Sequence, residues 1–416
     1  KRLYDRGLSV VLLLQYAYNM ELFLKELEVR DNMRQIRVLQ VVTYMGRGGL
    51  ETMLMNYYRK IDREKILFDF LVHRDFEADY DEEIRQLGGR IYRLSRLNPI
   101  SRGYLNQLDD FFKEHPEYKI VHSHLDCMAG IPLKYAQKNN VSARIAHAHS
   151  SNQTRDKKYV LKQFYKHIIP KYATHFFACS EVAGKWMFGK QKFSVLNNAI
   201  DTQKYSYNPQ TARRVRAELK VSEDTLMVGH VGRFHPPKNH EMIVKIFSEV
   251  LKRVSDAKLL LVGDGYLQHI VQDQVAALGI QDHVIFTGVR SDVCDLMQAM
   301  DIFLFPSLYE GLPVSIIEAQ AAGLPCIISD KVPLECKKTD LVQQLNLSES
   351  FGTWADIVIS AAKQNKRRDT AEEIKKAGFD VSENTRRLEE FYLNVYENAV
   401  EEERANDFIN HIYPGI

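Results

Sequence analysis

Short apolar runs alternate with amphipathic segments along most of the chain. The runs occupy residues 36–42, 67–73, 90–94, 120–124, 144–149 and 175–179 in the first half, and 226–232, 258–262, 284–287, 302–306 and 325–329 in the second. Runs of this kind bury both faces of a strand, as in parallel sheets that helices cover on both sides. Segments such as residues 241–254 and 267–278 have the spacing of crossover helices. The pattern predicts an α/β fold with two Rossmann-like, doubly wound parallel-sheet domains.

The boundary between the two halves lies in a polar stretch near residues 197–209. We assign the first domain to residues 33–205 and the second to residues 206–381, and we expect them to face each other across a central cleft. The charged helical pattern of residues 382–416 predicts a return to the first domain. Residues 1–32 form an N-terminal extension, with a predicted helix at residues 8–29, to which we assign no catalytic role.

Composition and charge narrow the classes of function. The 416 residues are 45% hydrophobic and carry a formal charge of +2, so no global charge favours nucleic-acid binding. Five scattered cysteines without a CxxC pair indicate a reducing compartment, and we expect a cytoplasmic protein. The longest apolar stretch, residues 8–17, is shorter than the roughly 18 residues that a membrane-spanning helix needs.

The strongest chemical signal is the segment PSLYEGLPVSIIEAQAAG at residues 306–323. A buried strand ends at Pro306, and Pro313 suits the first turn of a helix, where its missing N–H costs nothing. The helix N-terminus then presents an anion site at the strand tips. Glu310 and Glu318 are about 12 Å apart if the segment is helical, too far to share one glycosidic bond. We interpret them as contacts to the two ends of one long ligand; the alternative is a surface and a helix glutamate around an N-cap.

Two further loops follow strands. Arg233 and Lys238 lie in GHVGRFHPPKN, residues 229–239, and an Arg fork with a Lys point charge suits a pyrophosphate; the alternative is a pair of surface cations. Gly48 and Gly49 follow the first strand and allow close backbone approach to a ligand, although the third glycine of a dinucleotide motif is replaced by Glu51. The alternative is a tight strand–helix turn.

Two histidine pairs and two other patterns leave alternatives open. His122 and His124 resemble part of a zinc-hydrolase motif whose last histidine is replaced by Cys127, so zinc is one alternative. His149 ends a strand and is predicted to contact the transferred sugar or the leaving group; the alternative is a structural histidine. We interpret the DxD triplet at residues 79–81 as solvated surface. Residues 155–171 predict a basic helix that meets an anionic membrane surface or is simply half-buried.

Taken in order, these motifs resemble glycosyltransferase family 4, of GT-B fold. The resemblance is carried by the Glu310–Glu318 spacing, by the strand end at residues 231–233 and by residues 262–265 (VGDG), and it covers about residues 36–400. Within the family the chain is similar to bacterial exopolysaccharide and capsular polysaccharide transferases, as judged by residues 45–49, 286–293 and 306–330.

The resemblance implies a retaining transfer of a hexose from a nucleoside-diphosphate sugar, with UDP favoured and no metal or other cofactor required. It implies a saccharide or lipid-linked saccharide as acceptor, and a cytoplasmic protein that contacts the inner face of the membrane peripherally. No protein nucleophile is implied, because the acceptor hydroxyl itself attacks from the face that the diphosphate leaves. The leaving phosphate oxygen is the expected base. The alternatives are a GT-B-fold UDP-sugar epimerase and a non-catalytic scaffold that binds nucleotide sugars.

Site roles also follow from the resemblance. The implied catalytic residues are Glu310 at the donor sugar, His149 near the reacting sugar, and Arg233 and Lys238 at the diphosphate. Glu318 is implied to bind the ribose, and Gly288 and Val289 border the base. The remaining implied donor-binding residues are Gly48, Gly49, Gly311, Leu312 and Val314. One departure from the family is Pro313, which leaves Leu312 and Val314 as the chief backbone donors of the phosphate-binding turn.

Overall fold

A computed structural model describes residues 35–150, 159–364 and 367–412, with side chains up to residue 402. The N-terminal extension and its predicted helix at residues 8–29 lie outside the described residues. Within these ranges, the strands are β1 Ile36–Val41, β2 Ile66–Val72, β3 Ile91–Arg93, β4 Ile120–Ser123, β5 Ala143–Ala148, β6 His175–Ala178, β7 Ser194–Val195, β8 Leu226–Val231, β9 Ala257–Val262, β10 Val284–Phe286, β11 Ile302–Phe305, β12 Cys326–Ser329 and β13 Val342–Leu345.

Helices connect these strands. They are α1 Gly49–Lys60, α2 Asp81–Gln86, α3 Arg102–Glu114, α4 Gly130–Lys138, α5 Tyr159–Tyr172, α6 Glu181–Phe188, α7 Thr202–Tyr205, α8 Pro209–Glu218, α9 His240–Leu251, α10 Gln268–Ala277, α11 Val293–Ala299, α12 Val314–Ala321, α13 Phe351–Gln364, α14 Ala371–Lys376 and α15 Val381–Ile412. No helix in the described ranges combines the length and the apolar composition needed to cross a bilayer.

The strands form two parallel sheets with the same winding. The first has the order β3-β2-β1-β4-β5-β6-β7 and the second β10-β9-β8-β11-β12-β13. In each sheet the order reverses at one point, between β1 and β4 and between β8 and β11. Ligands of doubly wound sheets bind outside the carboxyl ends of the strands at such a switch point. The predicted fold of two Rossmann-like domains is confirmed.

Two short strands were not predicted from the sequence. β7 has two residues, and its Ser194 is exposed, so no apolar run marks it. β13 reads Val-Gln-Gln-Leu and lies at the edge of the second sheet, where only Val342 is buried. An edge strand with one buried face does not need a continuous apolar sequence.

The chain crosses between the sheets twice, at adjacent places. Ile200 forms a parallel bridge with Asp380, and the Thr202 hydroxyl donates to the Asp380 carboxylate at 2.6 Å. From there α15 packs along α1, β4 and β5 of the first sheet, where Leu388 and Tyr392 are buried in the core. Tyr392 of the last helix therefore reaches the switch point of the first sheet, between β1 and β4.

Candidate active site at the two switch points

The loops after β8 and β11 meet at the switch point of the second sheet. The Lys238 ammonium lies 2.7 Å from the Glu310 carboxylate, with the two side chains only 20% and 13% exposed. The two loops are tied by the Leu308 N–H, which donates to the Pro237 carbonyl at 2.8 Å. The structure therefore brings two of the predicted catalytic residues into direct contact.

Local backbone geometry explains the position of Lys238. The 3₁₀ turn Pro236–Lys238 ends at Asn239, whose φ of 54° is left-handed and whose side-chain amide donates to the Pro306 carbonyl at 3.0 Å. Gly232 leaves room for the lysine stem, since a Cβ there would lie 3.3 Å from its methylenes. The ammonium also lies 4.6 Å from the Phe305 ring centroid, a favourable cation–π distance.

The predicted helix N-terminus at the start of α12 is present, with one correction to where it begins. Pro313 is the N-cap residue, and the helix begins at Val314, because the extended backbone of Pro313 (ψ 107°) lies outside the helix. The first N–H groups of a helix have no acceptor within it, and those of α12 open beside the Glu310 loop. The space beside the Cα of Gly311 is open, with no heavy atom within 4 Å of an added Cβ.

Glu318 lies in α12 and is buried. The hydroxyl of Tyr205, in α7, donates to its carboxylate at 2.7 Å. Burial raises the pKa of Glu318, and the tyrosine hydrogen bond opposes that rise. Tyr205 could not be predicted as a partner of Glu318, because it stands 113 residues away in the chain and belongs to no recognisable motif. A ribose at Glu318 would therefore share the carboxylate with this hydroxyl.

Arg233 reaches across the cleft to the glycine loop of the first domain. A Cβ added at Gly48 would lie 3.0 Å from the Arg233 guanidinium and 2.1 Å from the Glu51 carboxylate, whereas the space beside Gly49 is open. Gly48 therefore makes room for two protein side chains in this structure. Burial raises the pKa of the Glu51 carboxyl, and the charge of Arg233 lowers it.

The residues predicted to border the base, Gly288 and Val289, follow β10. Gly288 has a φ of 67°, which favours glycine, and its carbonyl accepts from the Gly263 N–H at 2.9 Å. Val289 is exposed beside it. An open, exposed backbone of this kind allows a flat base to approach.

His149 follows β5, at the switch-point side of the first sheet. Its backbone N–H donates to Asp126 at 2.8 Å, and the Ser150 hydroxyl donates to the same carboxylate at 2.7 Å. Asp126 has a left-handed φ of 47°. Burial lowers the pKa of the His149 ring, so the imidazole is neutral at pH 7. Its ring contacts His124, with 2.9 Å between His149 Nε2 and His124 Nδ1.

His122 and His124 lie on one face of β4, as predicted, and His147 joins them, with ligand nitrogens within 4.8 Å of one another. Zinc requires free nitrogen lone pairs at about 2.0–2.1 Å around one point. Both nitrogens of His122 are already engaged, by Tyr392 at 2.6 Å and His147 at 3.1 Å. Both nitrogens of His124 are engaged as well, by Gln40 and His149. The hydrogen bonding does not fit a zinc site, and the zinc-hydrolase alternative also conflicts with the observed fold.

The interpretation of the DxD triplet as solvated surface was wrong. The Asp81 side chain is 2% exposed and bonds Arg93 at 2.5 Å, and Tyr80 is buried. Asp79 is exposed and accepts from the Arg47 N–H at 3.2 Å. Asp81 is buried here because Arg93, from a neighbouring strand, compensates its charge.

The basic helix is α5, and residues 155–158 of its predicted range lie outside the described residues. Val160 and Phe164 are one helical turn apart and are 78% and 61% exposed, and Leu161 is also exposed. Ile169 is the one residue of α5 that is buried. Much of its apolar surface therefore faces outward beside its lysines.

The chain is similar to known proteins over most of its length. Residues 47–204 match the family described as Glycosyltransferase Family 4, and residues 225–350 match Glycosyl transferases group 1. The putative glycosyltransferase EpsF of Bacillus subtilis is 36% identical over 391 residues, which cover 89% of this chain and 99% of the relative. An Escherichia coli UDP-Gal:alpha-D-GlcNAc-diphosphoundecaprenol alpha-1,3-galactosyltransferase is 25% identical over 50% of this chain and 55% of its own length.

Solved structures agree on the fold. The structure of Anabaena Alr3699/HepE in complex with UDP superposes with a TM-score of 0.71 at 18% identity, covering 86% of this chain and all of the other. Two Rossmann-like sheets facing a cleft, the paired lysine and glutamate at the second switch point, and a relative that matches nearly end to end lead to one assignment. The chain belongs to glycosyltransferase family 4 and has the GT-B fold.

Proposed function

We propose that this glycosyltransferase moves a hexose, with retention of configuration, from a UDP-sugar to a saccharide or lipid-linked saccharide acceptor in exopolysaccharide or capsule synthesis. The observation that carries the proposal is the Lys238–Glu310 pair beside the N-terminus of α12. A cation, a carboxylate and unpaired N–H groups are the groups that a diphosphate and a sugar hydroxyl need. The UDP bound by the Anabaena structure and the UDP-Gal named for the Escherichia coli relative favour a uridine donor.

In the proposed reaction, the bond between the anomeric carbon and the diphosphate oxygen breaks. The negative charge that grows on the diphosphate is stabilised by Lys238, Arg233 and the first N–H groups of α12. Glu310 accepts hydrogen bonds from the donor sugar, and Glu318 accepts from the ribose. The acceptor hydroxyl attacks the anomeric carbon from the face that the diphosphate leaves, and its proton passes to the leaving phosphate oxygen. Atoms and charges balance without a protein nucleophile, metal or other cofactor.

The outward surface of α5 supports a peripheral contact with the inner face of the cell membrane. Val160 and Phe164 present apolar surface on a helix whose sequence also carries Lys162, Lys166 and Lys171. Apolar side chains flanked by lysines bind anionic bilayer surfaces. The Escherichia coli relative is named for a diphosphoundecaprenol acceptor, and such an acceptor lies in a membrane. We therefore propose that α5 contacts the bilayer while the cleft receives the head of a lipid-linked saccharide.

The first test is thermal unfolding against UDP-, GDP-, ADP- and TDP-sugars. A ligand at about 100 times its Kd adds about 2.7 kcal/mol of stability. We expect a shift with one UDP-sugar that is absent from Glu318→Ala and retained in Glu349→Ala, a control at an exposed glutamate. If none of the nucleotide sugars shifted the unfolding temperature, the result would contradict the proposal.

The positive ligand is then incubated with lipid-linked saccharides, with and without EDTA, and the product is analysed by NMR. We expect the new glycosidic linkage to have the anomeric configuration of the donor sugar. We also expect the rate of transfer to be the same in the presence of EDTA. Conversion of the donor without an acceptor would instead indicate an epimerase. Binding with no conversion would indicate a non-catalytic scaffold.

A further inference from the structure

Four imidazoles lie together on one face of the first sheet, beneath α15. They are His122 and His124 from β4 and its end, and His147 and His149 from β5 and its end. Their rings stack along each strand, with centroids 4.3 Å apart in the first pair and 4.2 Å in the second. Burial lowers the pKa of each, so all four are neutral and each carries one ring proton. The network around them decides which nitrogen carries it.

One side-chain amide begins both hydrogen-bonded branches of this network. Gln40, buried in β1, has its Oε1 2.8 Å from Nε2 of His124 and its Nε2 3.3 Å from the Tyr392 hydroxyl. An amide oxygen only accepts and an amide nitrogen only donates. The two ends of one amide therefore impose a direction on everything that follows.

The first branch runs to His149, just beyond the end of β5. His124 donates from Nε2 to Gln40, so its Nδ1 is an acceptor, and this atom lies 2.9 Å from Nε2 of His149. His149 must then donate from Nε2. Its Nδ1 consequently carries a lone pair, and that atom is buried with no partner among the described residues.

The second branch runs through the C-terminal helix. The Tyr392 hydroxyl accepts from Gln40 and gives its own proton to Nδ1 of His122 at 2.6 Å. His122 then donates from Nε2 to Nδ1 of His147 at 3.1 Å. Nε2 of His147 therefore carries a proton, and it too is buried without a partner in the described chain.

We propose that Gln40 is a positioning residue that sets all four imidazoles in the Nε2–H tautomer and so gives His149 an acceptor nitrogen, Nδ1, for a substrate hydroxyl. The proposal rests on the proposed function only for the identity of that hydroxyl, which belongs to the sugar being transferred or to its acceptor. Reversal of the amide would reverse every bond in both branches, and His149 would become a donor at Nδ1. The single orientation of Gln40 thus determines the hydrogen-bonding character of His149, the side chain that is predicted to contact the sugar.

The tautomers are measured on the free protein, so failure of the transferase assignment cannot affect this result. In ¹⁵N-histidine-labelled enzyme, long-range ¹H–¹⁵N spectra distinguish the protonated from the unprotonated ring nitrogen, and His→Gln variants assign the signals. We expect Nε2–H at all four positions. Nδ1–H at His149 would overturn the proposal, as would one equivalent of zinc, added alone, binding the wild type but not His122→Gln.

Two variants separate the two branches. Gln40→Leu removes the acceptor for His124, and we expect His149 to populate both tautomers. Tyr392→Phe breaks only the second branch, so it should retain Nε2–H at His149. A single unchanged tautomer in Gln40→Leu would contradict the proposal, and so would loss of Nε2–H at His149 in Tyr392→Phe.

Kinetics test the contact with substrate. Loss of one hydrogen bond in the transition state lowers kcat about tenfold. We expect that loss in Gln40→Leu at an almost unchanged donor KM, with most of the activity retained in Tyr392→Phe, which leaves the first branch intact. Equal activity of Gln40→Leu and wild type would show that the imidazole orientation has no role in transfer, even where the spectra show the expected tautomers.

Discussion

The two switch points have the same strand topology, but the functional side chains at one are charged and those at the other are neutral. At the second sheet, Lys238, Glu310 and Arg233 are charged, partly exposed and close to open backbone. At the first sheet, the imidazoles are neutral, buried and bonded to one another. Fixed charges suit a diphosphate whose charge grows during reaction, whereas neutral donors and acceptors suit hydroxyl groups. One fold thus provides two chemically distinct halves of a single cleft.

Replacement of Lys238 by alanine should have the largest effect. The substitution removes a cation from the diphosphate and leaves Glu310 without its partner at 2.7 Å. We expect kcat/KM to fall by about 100- to 1000-fold, as for loss of one strong electrostatic contact to a transition state. The measurement is initial-rate transfer, with Lys252→Ala, an exposed lysine of the same domain, as control. Near-normal turnover with an intact fold would remove Lys238 from the mechanism.

Conversion of Glu310 to glutamine tests the other member of the Lys238–Glu310 pair at the second switch point. The amide preserves the volume but loses the charge that binds the lysine and accepts from the sugar, so we expect a loss of about 100-fold in kcat/KM. Because the two side chains contact each other, the double variant with Lys238→Ala should lose less than the product of the single losses. Strictly multiplicative losses would mean that the two residues act independently.

Acid should lower the free energy of unfolding through the buried histidines at the first switch point. Burial lowers the pKa of these rings, so below pH 6.5 the unfolded chain binds protons that the folded chain does not. The free energy of unfolding should therefore fall as pH drops from 7.5 to 5.5, by about 1 kcal/mol for each ring. Urea unfolding of His147→Gln should show a smaller fall, and exposed His269→Gln an unchanged one. Equal pH slopes in all three proteins would contradict this account.

The smallest effect on transfer is expected at Tyr205. Tyr205→Phe removes the hydrogen bond to buried Glu318, which should cost about 1–3 kcal/mol of stability. The freed carboxylate oxygen becomes available to a ribose, so the donor KM should change by no more than a few-fold. Thermal unfolding and donor titration measure the two quantities. A loss of kcat as large as that of Lys238→Ala would assign the tyrosine a direct part in transfer.

Much of the molecule could be predicted from local patterns. The long apolar runs give the principal strands of both sheets, because strands buried on both faces need apolar residues at every position. The loop residues of the second site follow strand ends, and parallel topology brings such ends together, as for Lys238 and Glu310. The burial of Asp81 was not predictable in this way, since it depends on Arg93 from the next strand.

The two Rossmann-like halves and the charged motifs that follow their strands could be predicted from the sequence, because they depend on residue type and short-range spacing. Contacts between side chains of distant segments are defined only in the folded protein. Tyr205 reaches Glu318 from α7, and Tyr392 reaches His122 across 270 residues. Hydrogen-bond direction then follows from the geometry of one amide, that of Gln40. Such contacts cannot be predicted from spacing along the chain, because their energies depend on distances that arise only when the sheets and α15 have packed.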